Sequence, residues 1–368
     1  MKRIIIVFFV AVLCAFSVRA VYAEETLYDV SGIYDSLSDE AREHMLAIGA
    51  DGADADSLSS LSFESILNEI LAIGSQNAQS PLKGLITVTA MLLICSMLSA
   101  YRGALSSDVG GTMNTVLSLC IGASVAVPAA GLIQNAADIV VNASNLMLAY
   151  IPVTALLLTA SGSVSGSAAY YTAVLGAGEG VSQLSSQVIV PFMRMLLGMS
   201  IAGGVSSEVY LSGFVHSISK MAKWLLGFGM AIFTAVIGLK QVLASALDTV
   251  TGRAARMALS SFVPIVGSAL AEALKTVQGS VTVLKSGIGV FVILALAVTF
   301  LPSVVGAILW QVTLWAGKSV AEALNLPQGA RLLESLSDVF ATLMASLLSV
   351  MTVYIIITAM IFSMGGAS

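Results

Sequence analysis

Histidine occurs at only two positions, His44 and His216, so the paired-histidine H-E-x-x-H zinc pattern cannot be built, and no G-x-G-D aspartyl pattern is present. Gly317-Lys318-Ser319 copies the end of a phosphate-binding loop, but Val312 stands where the first glycine is required. Gly176-Ala177-Gly178-Glu179-Gly180 reads as a loop and not as a nucleotide fingerprint. No catalytic set, metal set or cofactor fingerprint is legible, and an enzyme is not expected. What remains is a sparse set of charges in apolar surroundings: Arg194, Glu208, Lys240 and Asp248. Such groups mark ion or substrate pathways, because an unpaired charge in hydrocarbon is costly. Arg194, three residues after Pro191, is the candidate pathway residue, with no acidic neighbour in sequence.

Charge gathers in one further stretch, between Gly252 and Gly287. Arg253 and Arg256 lie one helical turn apart, the spacing of a basic collar at the headgroups. Leu270, Ala273, Leu274 and Val277 fall on one helical face behind Pro264 and Gly267, while Glu272 and Lys275, three apart, can pair. This amphipathic half-length helix, closed by Gly279 with Lys285 beyond it, is too short and too charged to span alone. It reads either as re-entrant or as interfacial, and its residues are candidates for structure and assembly.

These elements need an unusual solvent. The 368 residues are 57% hydrophobic and only 10% charged, with a mean hydropathy of +0.96. Soluble domains carry about 25% charged residues. The composition therefore dictates an all-α polytopic membrane bundle, in which the 32 glycines let helices approach closely. Apolar runs of spanning length start at Leu82, Met113, Ile139, Val188, Trp224, Gly287 and Val339, about seven spans. Tyr170–Gly180, Ala258–Leu274 and Gln311–Leu324 are interfacial or re-entrant candidates. Pro152, Pro191, Pro264 and Pro302 sit in or beside these runs and predict kinks. Cys95 and Cys120 read as buried small hydrophobes. Ala271–Leu274 and Ala321–Leu324 repeat one Ala-Glu-Ala-Leu string, a faint sign of duplication.

The N-terminus has the form of a cleaved signal: Lys2 and Arg3, an apolar stretch, and Val21-Tyr22-Ala23 before Glu24. Residues 1–23 are therefore assigned to the signal, 24–80 to an acidic extracytoplasmic helical segment and 81–368 to the membrane domain. The acidic segment carries a net charge of about −11, which opposes nucleic acid as a partner. Ser38 predicts a helix cap, with closure at Gly49. A second helix, Ser62–Ile73, puts Phe63, Ile66, Leu67, Ile70 and Leu71 on one face and closes at Gly74; Ser80-Pro81 then starts the first span. That stripe is the candidate partner-facing surface, to dock on the membrane domain, the bilayer or another protein. With five spans before it, Arg253 is expected inside, opposite the exported segment; Lys220 and Lys223 then lie outside at a cost.

The block from Phe262 to Gly289, with Pro264, Gly267, Gly279, Ser280, Lys285 and Gly287, resembles the stage III sporulation protein AE family of endospore-forming Firmicutes, and Tyr150–Gly162 adds to the likeness. The resemblance covers nearly all of the chain after the signal. It implies a non-catalytic multipass subunit of the secretion-like channel between mother cell and forespore, in the mother-cell membrane. It implies other stage III A membrane proteins as partners, a forespore-side channel protein indirectly, and no catalytic residues. A stand-alone secondary transporter is the alternative, and homo-oligomers are compatible with both readings.

Overall fold

The computed structural model describes residues 31–50, 62–100, 107–160, 164–205, 211–262 and 267–363, with the backbone alone for 248–262 and 267–286. The signal and its cleavage site lie outside the described residues, as do Glu208 and Pro264. Two short helices, α1 (Ser31–Asp35) and α2 (Asp39–Ala47), come first. Long helices follow: α3 (Phe63–Ala100), α4 (Ser107–Ala160), α5 (Val164–Leu184), α6 (Val190–Val205), α7 (Leu211–Phe262), α8 (Gly267–Ala323) and α9 (Pro327–Ser363). No strand occurs among the described residues.

The short-range signals in the sequence act as expected around α2. Ser38 accepts from the Ala41 amide at 3.3 Å, and Gly49 takes a positive φ of 90° while Ala50 N–H bonds to Met45 O. This is the left-handed close of a helix, which glycine adopts without a Cβ clash. The same device turns α8 into α9. Asn325 has φ 55°, Leu326 N–H bonds to Ala321 O, and Pro327 opens the next helix with its φ already set.

Helix boundaries inside the apolar region differ from the sequence reading. Six helices are long and apolar enough to cross a membrane among the described residues, not seven. Met113–Ile133 and Ile139–Thr159 are one continuous helix, because Gln134-Asn135-Ala136-Ala137-Asp138 is polar but contains no helix breaker. Gly74 closes nothing and Ser80-Pro81 starts nothing: α3 runs through both. Gln311–Leu324 continues the span of α8, and Tyr170–Gly180, including Gly176–Gly180, is helical within α5. The two Ala-Glu-Ala-Leu strings lie near opposite ends of α8, so they do not mark two separate supersecondary units.

The bundle is organised around the antiparallel pair α8 and α9, where Trp310 stacks on Phe340 at 5.8 Å and Lys318 reaches Glu334 at 3.0 Å. α3 runs parallel to α8, with Asn77 near Gly306 and Val88 against Gly317. A Cβ on Gly84 would come within 2.6 Å of the Trp310 ring, so only glycine permits this approach. α6 runs antiparallel to α9: Ser200 donates to Ser335 O, and Gly204 sits against Leu332. α4 passes from Gly122, beside Ile201, to Met147, beside Thr358. One end of the bundle thus holds the α8–α9 turn, hereafter the turn end, and the opposite end is the open end.

The acidic segment docks on its own bundle at the open end. Tyr34 packs on Phe291 at 6.3 Å between centroids, and Ile33, Met45 and Ile48 join the same apolar core. His44 and Glu69 bridge α2 to α3 at 2.5 Å. The apolar stripe of α3 is consequently split. Ile66 packs against the core and Ile73 is buried, whereas Leu67, Ile70 and Leu71 face outward at 44%, 38% and 62% exposure. The physical reason is the width of the stripe, which exceeds what one neighbouring helix covers. The side chain of Phe63 is outside the described set.

Candidate functional site

Two polar nodes tie helices together across otherwise apolar seams. The first is centred on Asp338, whose side chain is only 15% exposed. His216 Nδ1 lies 2.7 Å from Asp338 Oδ2, and Lys223 Nζ lies 3.7 Å from Oδ1. His216 and Lys223 are two helical turns apart on α7 and so present both groups to one carboxylate. Thr342 donates to the Asp338 carbonyl at 2.8 Å, a local bond within α9. The charge cost expected for Lys223 is therefore offset by a carboxylate from a helix more than a hundred residues away. No sequence pattern joins His216 to Asp338; the signal that was available is that both are ionisable groups at the edges of apolar runs, where pairing is the cheapest outcome.

The second node answers what holds Arg194. Its Nη2 donates to Gln134 Oε1 at 2.7 Å, and Gln134 Nε2 donates to Asp138 Oδ1 at 3.1 Å. Gln134 and Asp138 share one face of α4 at i and i+4. The amide acts as a bridge, linking a guanidinium on α6 to a carboxylate on α4 without direct contact. Just behind it an apolar recess opens between α4, α6 and α9, lined by Ile133, Ala137, Val140, Met193 and Leu347 among others. Its wall includes Ile189, the last residue of a π-helical turn, Ser185–Ile189, that joins α5 to α6. Pro191 explains the turn: lacking N–H, it cannot bond to the carbonyl four residues back, and a wider turn relieves the crowding.

The other singled-out residues separate into groups. Arg253, Arg256, Gly267, Glu272, Lys275, Gly279 and Lys285 lie on the α7 and α8 backbones, and their side chains are not described. Pro264 falls outside the described residues. Lys240 is exposed on α7, and Asp248 follows where side chains are not described. Cys95 is buried as expected, whereas Cys120 is exposed on the outer surface of α4, and neither forms a disulfide. Tyr150, in edge-to-face contact with Tyr170 at 6.2 Å, buries its hydroxyl without an acceptor among the described residues. No group of three or more His, Cys, Asp or Glu able to hold a metal occurs among the described residues.

The outer surface fits lipid. On α7, Trp224, Leu225, Phe228, Ile232, Val236 and Leu239 are all exposed, and Lys220 and Lys240 bracket them. Twenty residues separate the two lysines, about 30 Å along a helix, which equals the hydrocarbon thickness. Lysines at such positions carry their ammonium groups to the headgroups. Long apolar helices, an apolar exterior and paired charges at the seams define an all-α polytopic membrane protein.

The chain belongs to the stage III sporulation protein AE family, whose model matches residues 55–365. It is similar to the Stage III sporulation protein AE of Bacillus subtilis (strain 168), at 23% identity over 158 residues. That alignment spans 43% of this chain and 40% of the relative, less than half of either. No solved structure matches the chain.

Proposed function

We propose that this protein is a non-catalytic multipass subunit of a secretion-like channel complex between mother cell and forespore, needed for endospore formation after engulfment. The family match over residues 55–365 carries the reading. In it, the protein resides in the mother-cell membrane around the forespore, with other stage III A sporulation membrane proteins as neighbours and the forespore-side channel protein as an indirect partner. The bundle serves as platform or conduit, and the nodes at Asp338 and Arg194 hold its helices in register.

The test is a clean deletion in the source organism, scored for heat-resistant spores and for forespore transcription after engulfment. Loss of spores at that stage with normal vegetative growth is expected. Normal spores would sink the reading. A second reading, a stand-alone secondary transporter, draws on one observation: Arg194 and its amide bridge stand beside the apolar recess, the kind of place a pathway would use. Saturable uptake by the purified chain in proteoliposomes, abolished by Arg194→Gln, would favour it.

A further inference from the structure

The merging of two expected spans into α4 changes the side on which later segments emerge. From the docked acidic segment at the open end, α3 leads to the turn end, since it runs parallel to α8. α4 returns from the level of Ile201 to that of Thr358, and α5 with α6 goes back to Leu332 at the turn end. α7 begins there, with His216 at Asp338, and must travel to the open end, because α8 starts at Gly267 and reaches Phe291 only after six turns of helix. Four passages separate residues 31–48 from the helical residues 252–262 and 267–286, and an even number returns the chain to the side it left.

The two segments have opposite character. Asp39, Glu40 and Glu43 are exposed on α2, and Glu64 is exposed on α3 beside the outward Leu67, Ile70 and Leu71. The His44–Glu69 bridge holds the acids of α2 next to that apolar surface. Lipid is a poor cover for leucines that share a surface with exposed Glu64 and Asn68. The other segment carries Arg253, Arg256, Lys275 and Lys285, with Leu270, Ala273, Leu274 and Val277 at amphipathic spacing. An acid-rimmed apolar patch and a basic amphipathic helix are complementary in both charge and hydrophobicity.

We propose that residues 31–48 stand on the same side of the membrane as the helical residues 252–262 and 267–286, and that the acidic patch around Leu67 and Leu71 takes the basic helix 267–286 of a second copy of this chain. Such a contact joins unlike surfaces, so copies that exchange helices reciprocally close as a two-fold dimer, and copies joined head to tail form a ring or row. It stands or falls independently of the sporulation assay above.

The experiment uses the full chain with Cys14, Cys95 and Cys120 replaced by Ser. Single cysteines at Glu43 (Glu43→Cys) and Lys275 (Lys275→Cys) are labelled with a membrane-impermeant maleimide in intact cells and in inverted vesicles. Both sites are expected to label in the same preparation; labelling in opposite preparations overturns the proposal. Differently tagged Glu43→Cys and Lys275→Cys chains are then coexpressed and treated with a bis-maleimide. A mixed crosslink, which can form only between copies, is expected and should fall several-fold in 0.5 M salt. If no mixed crosslink forms from Asp39→Cys, Glu40→Cys or Glu43→Cys, the second copy is not the occupant and that part of the proposal fails.

Discussion

Helices α8 and α7 are both apolar and both of membrane-spanning length, yet the molecule uses them oppositely. Two thirds of the most apolar window of α8 is buried, against 6% for α7. α8 is shielded by α3 and α9 through Gly84, Gly317 and the Trp310–Phe340 stack. α7 shows Trp224, Phe228 and Leu239 to the outside and is fastened at one end by His216 and Lys223 on Asp338. In lipid, apolar surface gains little by leaving the bilayer for the protein interior, so burial there follows close packing and polar pairing, not hydropathy. The comparison teaches that the central helix is recognised by its glycine-matched neighbours and the peripheral helix by its charged fastening.

This contrast can be broken by substitution. Trp310→Ala removes a buried ring from the α8–α9 seam and is expected to cost about 3–5 kcal/mol. Phe228→Ala, on the exposed face of α7, should change stability by less than about 0.5 kcal/mol. Thermal unfolding of the purified protein in one detergent decides; equal shifts would show that α8 is no more central than α7.

A smaller effect is expected at the fastening of α7. Asp338→Asn leaves Lys223 and His216 facing a neutral amide and should cost about 1.5–3 kcal/mol, the range for a hydrogen bond to a charged group. The charge-swapped pair Asp338→Lys with Lys223→Asp should recover part of that loss. Protease sensitivity of α7 is the readout, and unchanged cleavage in Asp338→Asn would remove the node from the account of the fold.

The smallest effect sharpens the comparison at the α8–α9 turn. Asn325→Val forces a β-branched residue into left-handed backbone and is expected to cost about 1–2 kcal/mol. Asn325→Gly should be neutral or mildly stabilising. A wild-type unfolding midpoint in Asn325→Val would mean that the turn is not what pairs these helices.

Some of this was open to reading from residue types alone. Ser38 and Gly49 announced α2, because capping and left-handed closure depend on adjacent residues. Arg194 stood out as an intramembrane charge, but its partner Gln134 lies sixty residues away on another helix. Asp338 was not singled out, and its pairing with His216 spans 122 residues. Splitting α4 in two was a reasonable expectation from the polar interval at 134–138, yet polarity does not end a helix when every residue in it can be helical. The stripe on α3 was visible, but which half of it would turn into the core was not.

The sequence by itself determined that the protein is helical and lives in a membrane, because composition fixes the solvent and only helices can satisfy their own backbone within each such segment. It also determined the local stop at Gly49. Tertiary structure alone decided that α8 is central and α7 peripheral, that Asp338 and Gln134 meet their cations, and how many times the chain passes the bundle before Arg253. Those outcomes depend on which helix faces which, and the energies that settle it come from contacts between residues far apart in the chain, which no local pattern records.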